Sequence, residues 1–151
     1  MKIQQLKNLP KMKYIRIGFY EDFKGEDSIL ISVDIYGLLE LETVFDRLSK
    51  GEEKIDMKDL KLIDMRYQIP LLLCLTEIDE GFIKVNNHYE WRLTSKKWDE
   101  FHQKAIMLYR NSDKGHQYLD SDSIEKNDFQ TILSLDEYQI EFWEKFSKNF
   151  S

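Results

Sequence analysis

Two alternating runs near the N-terminus restrict the fold more than any other part of the chain. On an extended backbone Ile15, Ile17 and Phe19 share one side, and Tyr14, Arg16 and Gly18 the other. After a polar stretch over 21–27, Ile29, Ile31, Val33 and Ile35 alternate with Ser28, Leu30, Ser32 and Asp34. Two period-two runs joined by a short connection predict an antiparallel hairpin near 12–35. Such a hairpin is half apolar and needs a cover. The next segment supplies one, because Leu38, Leu41, Val44, Phe45 and Leu48 recur at helical spacing. The reading is a helix over 38–49, with Glu40 and Glu42 near its positive end and Gly51 at its C-terminal cap.

The remaining elements follow from the same two periods. Leu60 and Leu62 suggest a strand over 60–66, and Pro70 breaks the path after it. Residues 71–78 form an apolar run rich in leucine, and Asp79-Glu80-Gly81 reads as a tight turn. Ile83 and Val85 share one face. Asn87-His88 closes a second turn, and Tyr89, Trp91 and Leu93 then alternate with Glu90 and Arg92. These segments predict a three-stranded antiparallel meander near 71–93.

Thr94 or Ser95 caps a helix over 96–110, whose apolar face carries Trp98, Phe101, His102, Ala105, Leu108 and Tyr109. Residues 111–128 read mostly as loop, and 129–133 as a short strand. Ser134 followed three later by Glu137 has capping-box spacing, with Tyr138, Phe142, Phe146, Phe150 and Trp143 beyond it. They predict a terminal helix over 136–148. The expected architecture is a single α+β domain over 1–151, with an antiparallel sheet packed against about three helices. Residues 1–11 are expected to form a loosely ordered arm.

Charge narrows the functional classes. The 151 residues carry a net charge of -6; the first 24 contribute +4, which leaves -10 for the remainder. An acidic bulk argues against direct nucleic-acid binding and against an anionic membrane surface, both of which need a basic footprint. It favours encounter with a basic partner. The longest uncharged apolar run, 69–75, is too short to span a bilayer, and the N-terminus has no signal-like apolar stretch. Cys74 is the single cysteine and lies inside that run, so it reads as a buried thiol in a reducing, cytoplasmic setting.

No glycine-rich phosphate loop, nucleophile elbow, paired CxxC or HExxH occurs, so no cofactor and no catalytic residue is assigned. Of the three histidines, His88 falls in a turn and His102 on an apolar helix face, where a hydrogen-bonded core role is commonest. His116 stands apart: Gly115 precedes it, and Asp120 and Asp122 follow. That grouping admits a divalent metal or an acid–base pair, and equally a turn leading into a solvated acidic loop. Asp120-Ser121-Asp122-Ser123 is not a calcium loop, because Glu125 and Thr131 occupy the positions that need Gly and Glu.

The stretch Gly115-His116-Gln117-Tyr118-Leu119-Asp120, with Leu133-Ser134-Leu135-Asp136-Glu137-Tyr138 after it, resembles small bacterial α+β immunity-like proteins associated with polymorphic toxins. Upstream, Tyr89-Glu90-Trp91-Arg92-Leu93-Thr94 followed by Trp98 and Phe101 is similar to the same pattern, so the resemblance covers about 89–138. It implies a non-catalytic inhibitor that masks a cognate toxin, with a basic, nuclease-type toxin as the partner that an acidic surface suits. From charge, Asp113, Asp120, Asp122, Glu125 and Asp128 are the candidate contact residues, together with His116 and with Tyr118 as an aromatic anchor. Two other readings are an adaptor that self-associates through the aromatic C-terminal helix, and a small metal-assisted hydrolase using His116, Asp120 and Asp122.

Overall fold

A computed structural model describes residues 13–23, 26–111, 114–119, 130–138 and 140–146. The fold is α+β, as the periodicities predict, but its strands form two four-stranded sheets. Sheet A contains β1 (Ile15–Phe23), β2 (Glu26–Val33), β7 (Gly115–Tyr118) and β8 (Gln130–Leu135), in the order β1-β2-β8-β7. Sheet B contains β3 (Lys54–Asp56), β4 (Leu71–Leu75), β5 (Gly81–Val85) and β6 (His88–Leu93), in the order β3-β4-β6-β5. The described helices are α1 (Ile35–Ser49), α2 (Ser95–Asn111) and α3 (Ile140–Phe146).

The hairpin is present, with Ile17 opposite Ile31 and Arg16 opposite Ser32. Its strands extend into the stretch read as loop, through Phe23 and from Glu26. The second strand stops at Val33, before Ile35, because Asp34 caps α1 and its Oδ1 accepts from Gly37 N at 2.9 Å. The helix therefore starts three residues early, and Glu40 and Glu42 lie outside its first turn. Gly51 follows its C-terminus with φ 116, in the left-handed region that suits glycine.

The meander is corrected. β5 and β6 do form a hairpin, closed by Asn86 at φ 54 and Asn87, but β4 pairs with β6 in parallel. The connection over 76–80 is long enough to step over one strand, which at about 4.8 Å spacing is a short distance. Burial explains the order. Leu71, Leu73, Trp91 and Leu93 bury one face of the two central strands, whereas β5 is mostly half-exposed and takes the edge.

Residues 60–66 are not a strand. Backbone bonds from Ile15 N to Leu62 O, Asp64 N to Ile15 O and Ile17 N to Tyr67 O lay the segment 62–67 along the free edge of β1. That edge is thereby protected. Residues 115–118, read as loop, are the edge strand β7. The capping-box reading also fails. Ser134 lies inside β8, level with Ser32 and His116, and so cannot take a cap conformation. Helix α3 begins at Ile140. Residues 147–151, the proposed arm over 1–11, and Phe129 lie outside the described residues.

The inner face of sheet A carries Ile15, Ile17, Ile29, Ile31, Val33, Leu133 and Leu135 into a core shared with α1, α2 and sheet B. Phe45 stacks on Trp98 at 5.8 Å between ring centroids, and Trp91 meets Trp98 edge-on at 5.3 Å. Thr94 caps α2, its Oγ1 accepting from Lys97 N at 3.2 Å. Trp98 Nε1 donates to the Cys74 carbonyl at 3.1 Å. Cys74 is buried, and that burial raises its thiol pKa, which keeps it an inert core group. Tyr20, Leu30 and Ile132 on the outer face of sheet A form a second apolar cluster with Tyr67 and with Trp143 of α3. No helix among the described residues is long and apolar enough to cross a membrane.

Candidate functional site

Strand register assembles what the sequence disperses. Arg16 pairs with Ser32, Ser32 with Ser134, and Ser134 with His116, so four polar residues lie in one row across all of sheet A. The row occupies the outer face, next to the apolar cluster under α3. Three of the four are enclosed: Ser32 and Ser134 are at 0% exposure and Arg16 at 2%.

A buried guanidinium needs a partner, and Arg16 has one. Its Nε donates to Asp64 Oδ2 at 3.0 Å, and its Cζ lies 4.0 Å from the centroid of the Tyr14 ring. Asp64 also accepts from Arg66, through Nε at 3.0 Å and NH2 at 2.9 Å. Burial pushes the Asp64 carboxyl up, but the bonds from Arg66 and Arg16 outweigh it and hold the group below the usual carboxylate range.

Beside the row sit Tyr14, Asp34 and Asp136. Asp34 Oδ1 accepts from Tyr14 N at 3.0 Å, and the Tyr14 hydroxyl reaches Asp136 Oδ1 at 3.4 Å. Asp136 adopts φ 55, a conformation that aspartate tolerates better than most residues. Burial, then the charge of Asp136, pushes the Tyr14 phenol up to about 12, so it remains a proton donor at neutral pH. The Ser32 hydroxyl lies near enough to pull that pKa partly back, yet meets no partner in hydrogen-bond geometry.

The row ends at the edge strand. His116 and Tyr118 project side by side from β7, both exposed, their rings edge-to-face at 5.4 Å. His116 Nδ1 lies 3.2 Å from Glu137 Oε2, and the Ser134 hydroxyl donates to the other carboxylate oxygen. A carboxylate only accepts, so Nδ1 carries the proton of this contact. Glu137 thus separates Ser134 from His116, and the serine is not paired with a base as a nucleophile would be. Lys104 Nζ donates to the Tyr118 carbonyl at 2.6 Å and ties the strand to α2.

Of the residues selected from the sequence, His116 and Tyr118 are brought together; Asp113, Asp120, Asp122, Glu125 and Asp128 lie outside the described residues. Among those described, no group of three or more His, Cys, Asp and Glu is arranged to hold a metal ion. The other histidines are structural. His88 Nε2 is 3.1 Å from Glu90, and His102 Nε2 is 3.0 Å from Glu42, linking α2 to α1. Sequence reasoning missed Arg16, Ser32, Asp64, Ser134 and Glu137 as members of one assembly. The polar face of the hairpin was legible, but the partners of that face come from distant strands.

Compared with known proteins, the chain matches no family model, no curated protein and no solved structure.

Proposed function

We propose that this chain is a non-catalytic binding protein, an immunity-type inhibitor that masks a basic toxin through the His116–Tyr118 end of sheet A. The observation that carries the reading is the way this pair is held. Glu137 and Ser134 fix the imidazole, Lys104 fixes the strand, and both rings are outward. An aromatic anchor locked before binding loses little side-chain freedom on contact, which is how a few residues come to dominate an interface. The net charge of -6 speeds encounter with a basic surface. The adaptor reading is weaker, because Trp143 of the C-terminal aromatic stripe is spent on the internal core, at 0% exposure.

The test is calorimetry against the polypeptide encoded directly beside its gene, with rescue of cells expressing that polypeptide. We expect tight binding that weakens with salt, and a loss of about 2 kcal/mol, roughly thirty-fold, for Tyr118→Ala. Absence of binding, or equal binding by a His116→Ala/Tyr118→Ala variant, refutes the proposal.

A further inference from the structure

A concavity lies away from sheet A's polar row. It is a groove of about 620 Å³ between α1 and the segment from β3 to Leu62. That volume falls within the range of small-molecule sites. Tyr36, Leu39, Glu40, Thr43, Val44 and Arg47 line one wall. Their spacing follows a single stripe of α1 over three turns, so the wall is about 16 Å long at 1.5 Å per residue. The opposite wall supplies Ile55, Leu60 and Leu62 as apolar surface.

The charges around the groove are unevenly engaged. Four lining residues are acidic, and three of them are already bound. Glu40 accepts from the backbone N–H groups of Lys61 and Leu62 at 2.7 and 2.9 Å. Glu52 accepts from Arg47 Nε and Nη2, and Asp56 accepts from Lys58 N at 3.0 Å. Asp59 is the exception. Among the cations, Lys13 lies over the Tyr36 ring at 4.5 Å, while Lys54 and Lys61 are exposed and have no ion-pair partner among the described residues. In a chain of net charge -6, the groove thus offers, among the described residues, two unengaged amines, Lys54 and Lys61, against one unengaged carboxylate, Asp59, beside apolar side chains.

We infer that this groove binds a small, elongated carboxylate, its apolar body along Leu39, Val44, Ile55 and Leu60 and its acid group on Lys54 and Lys61. Apolar burial supplies the affinity, and the amines select an anion over a neutral molecule of the same shape.

The probe is octanoate, titrated into isotopically labelled full-length protein and followed by amide chemical shifts, with 1-octanol as the neutral counterpart. Saturable shifts confined to residues 36–47 and 54–62, with Kd of about 1 mM or tighter, are expected. Octanol should bind about tenfold more weakly, and Lys54→Gln/Lys61→Gln should lower octanoate affinity by about the same factor. Both lysines are exposed, so the double variant should keep its Tm and its behaviour toward any protein partner of β7. Shifts elsewhere, absence of saturation, or equal binding of octanol overturn the inference. Loss of partner binding by His116→Ala/Tyr118→Ala bears on the other site alone.

Discussion

Removing the carboxylate of Asp64 is the sharpest test of the polar row. Arg16 is at 2% exposure and the Asp64 side chain at 9%, so Asp64→Ala leaves an enclosed guanidinium whose one remaining charge-stabilising contact among the described residues is the Tyr14 ring. Breaking a buried pair from one side costs about 3–5 kcal/mol. The retained cation–π contact contributes on the order of 1–2 kcal/mol and does not replace the lost partner. With a urea m-value of about 2 kcal/mol/M, the unfolding midpoint should fall by roughly 1.5–2.5 M. Arg66→Ala removes the other cation on Asp64, but that side chain is 57% exposed and the midpoint should barely move. Replacing both buried partners, as Arg16→Met/Asp64→Leu, should recover most of the loss, because apolar groups of similar size fill the space without a desolvation cost.

The pH dependence has a definite sign. The Asp64 carboxyl is held below its ordinary value of 3.8, so its contribution is fully present above that pH and disappears as pH falls through the lower folded value. The stability gap between wild type and Asp64→Ala should therefore be flat at neutral pH and close below 3.8. A loss under about 1 kcal/mol for Asp64→Ala, or an equal loss for Arg66→Ala, refutes the enclosed-pair reasoning.

Two further outcomes test the packing. Trp143→Ala should cost about 3–5 kcal/mol in urea unfolding, because the indole is fully buried and its centroid lies 5.8 Å from those of both Tyr20 and Tyr67. A variant that stays as stable but changes oligomeric state would instead mark α3 as an association surface. Gly37→Ala should lower stability by about 1–3 kcal/mol, although alanine is the better helix former. Its Cβ would press on the backbone carbonyl of Tyr14, so α1 would have to move off β1; an unchanged thermal midpoint contradicts this close approach.

What the sequence disclosed divides along a physical line. Helices α1 and α2 were legible because their apolar stripes and end residues are local signals. The hairpin was legible because its connection is short. Non-local pairing was not. β2 beside β8 and β4 beside β6 are parallel pairs between strands that no turn joins, and periodicity carries no information about which buried strand lies next to which. β7 escaped because four residues are too few for a period to declare itself. Ser134 and Glu137 misled for a related reason: their spacing matches a helix cap, but the strand ladder claimed the backbone of Ser134 and left its side chain to bond the carboxylate.

The same non-local pairing gives the candidate site its character. Arg16 and His116 stand at opposite ends of one row that crosses four strands, so the enclosed Arg16–Asp64 pair and the exposed His116–Tyr118 pair belong to one frame. Two unlike covers press on that frame, the segment 62–67 along β1 and α3 over the apolar rows. Polar groups on a sheet face usually meet solvent, yet of the four in this row Arg16, Ser32 and Ser134 are enclosed and His116 is exposed. Enclosure at the centre costs stability unless each group is partnered, and what it gives in return is fixed orientation at the edge. That trade fits the binding role proposed above, which needs a surface whose shape is complete before a partner arrives.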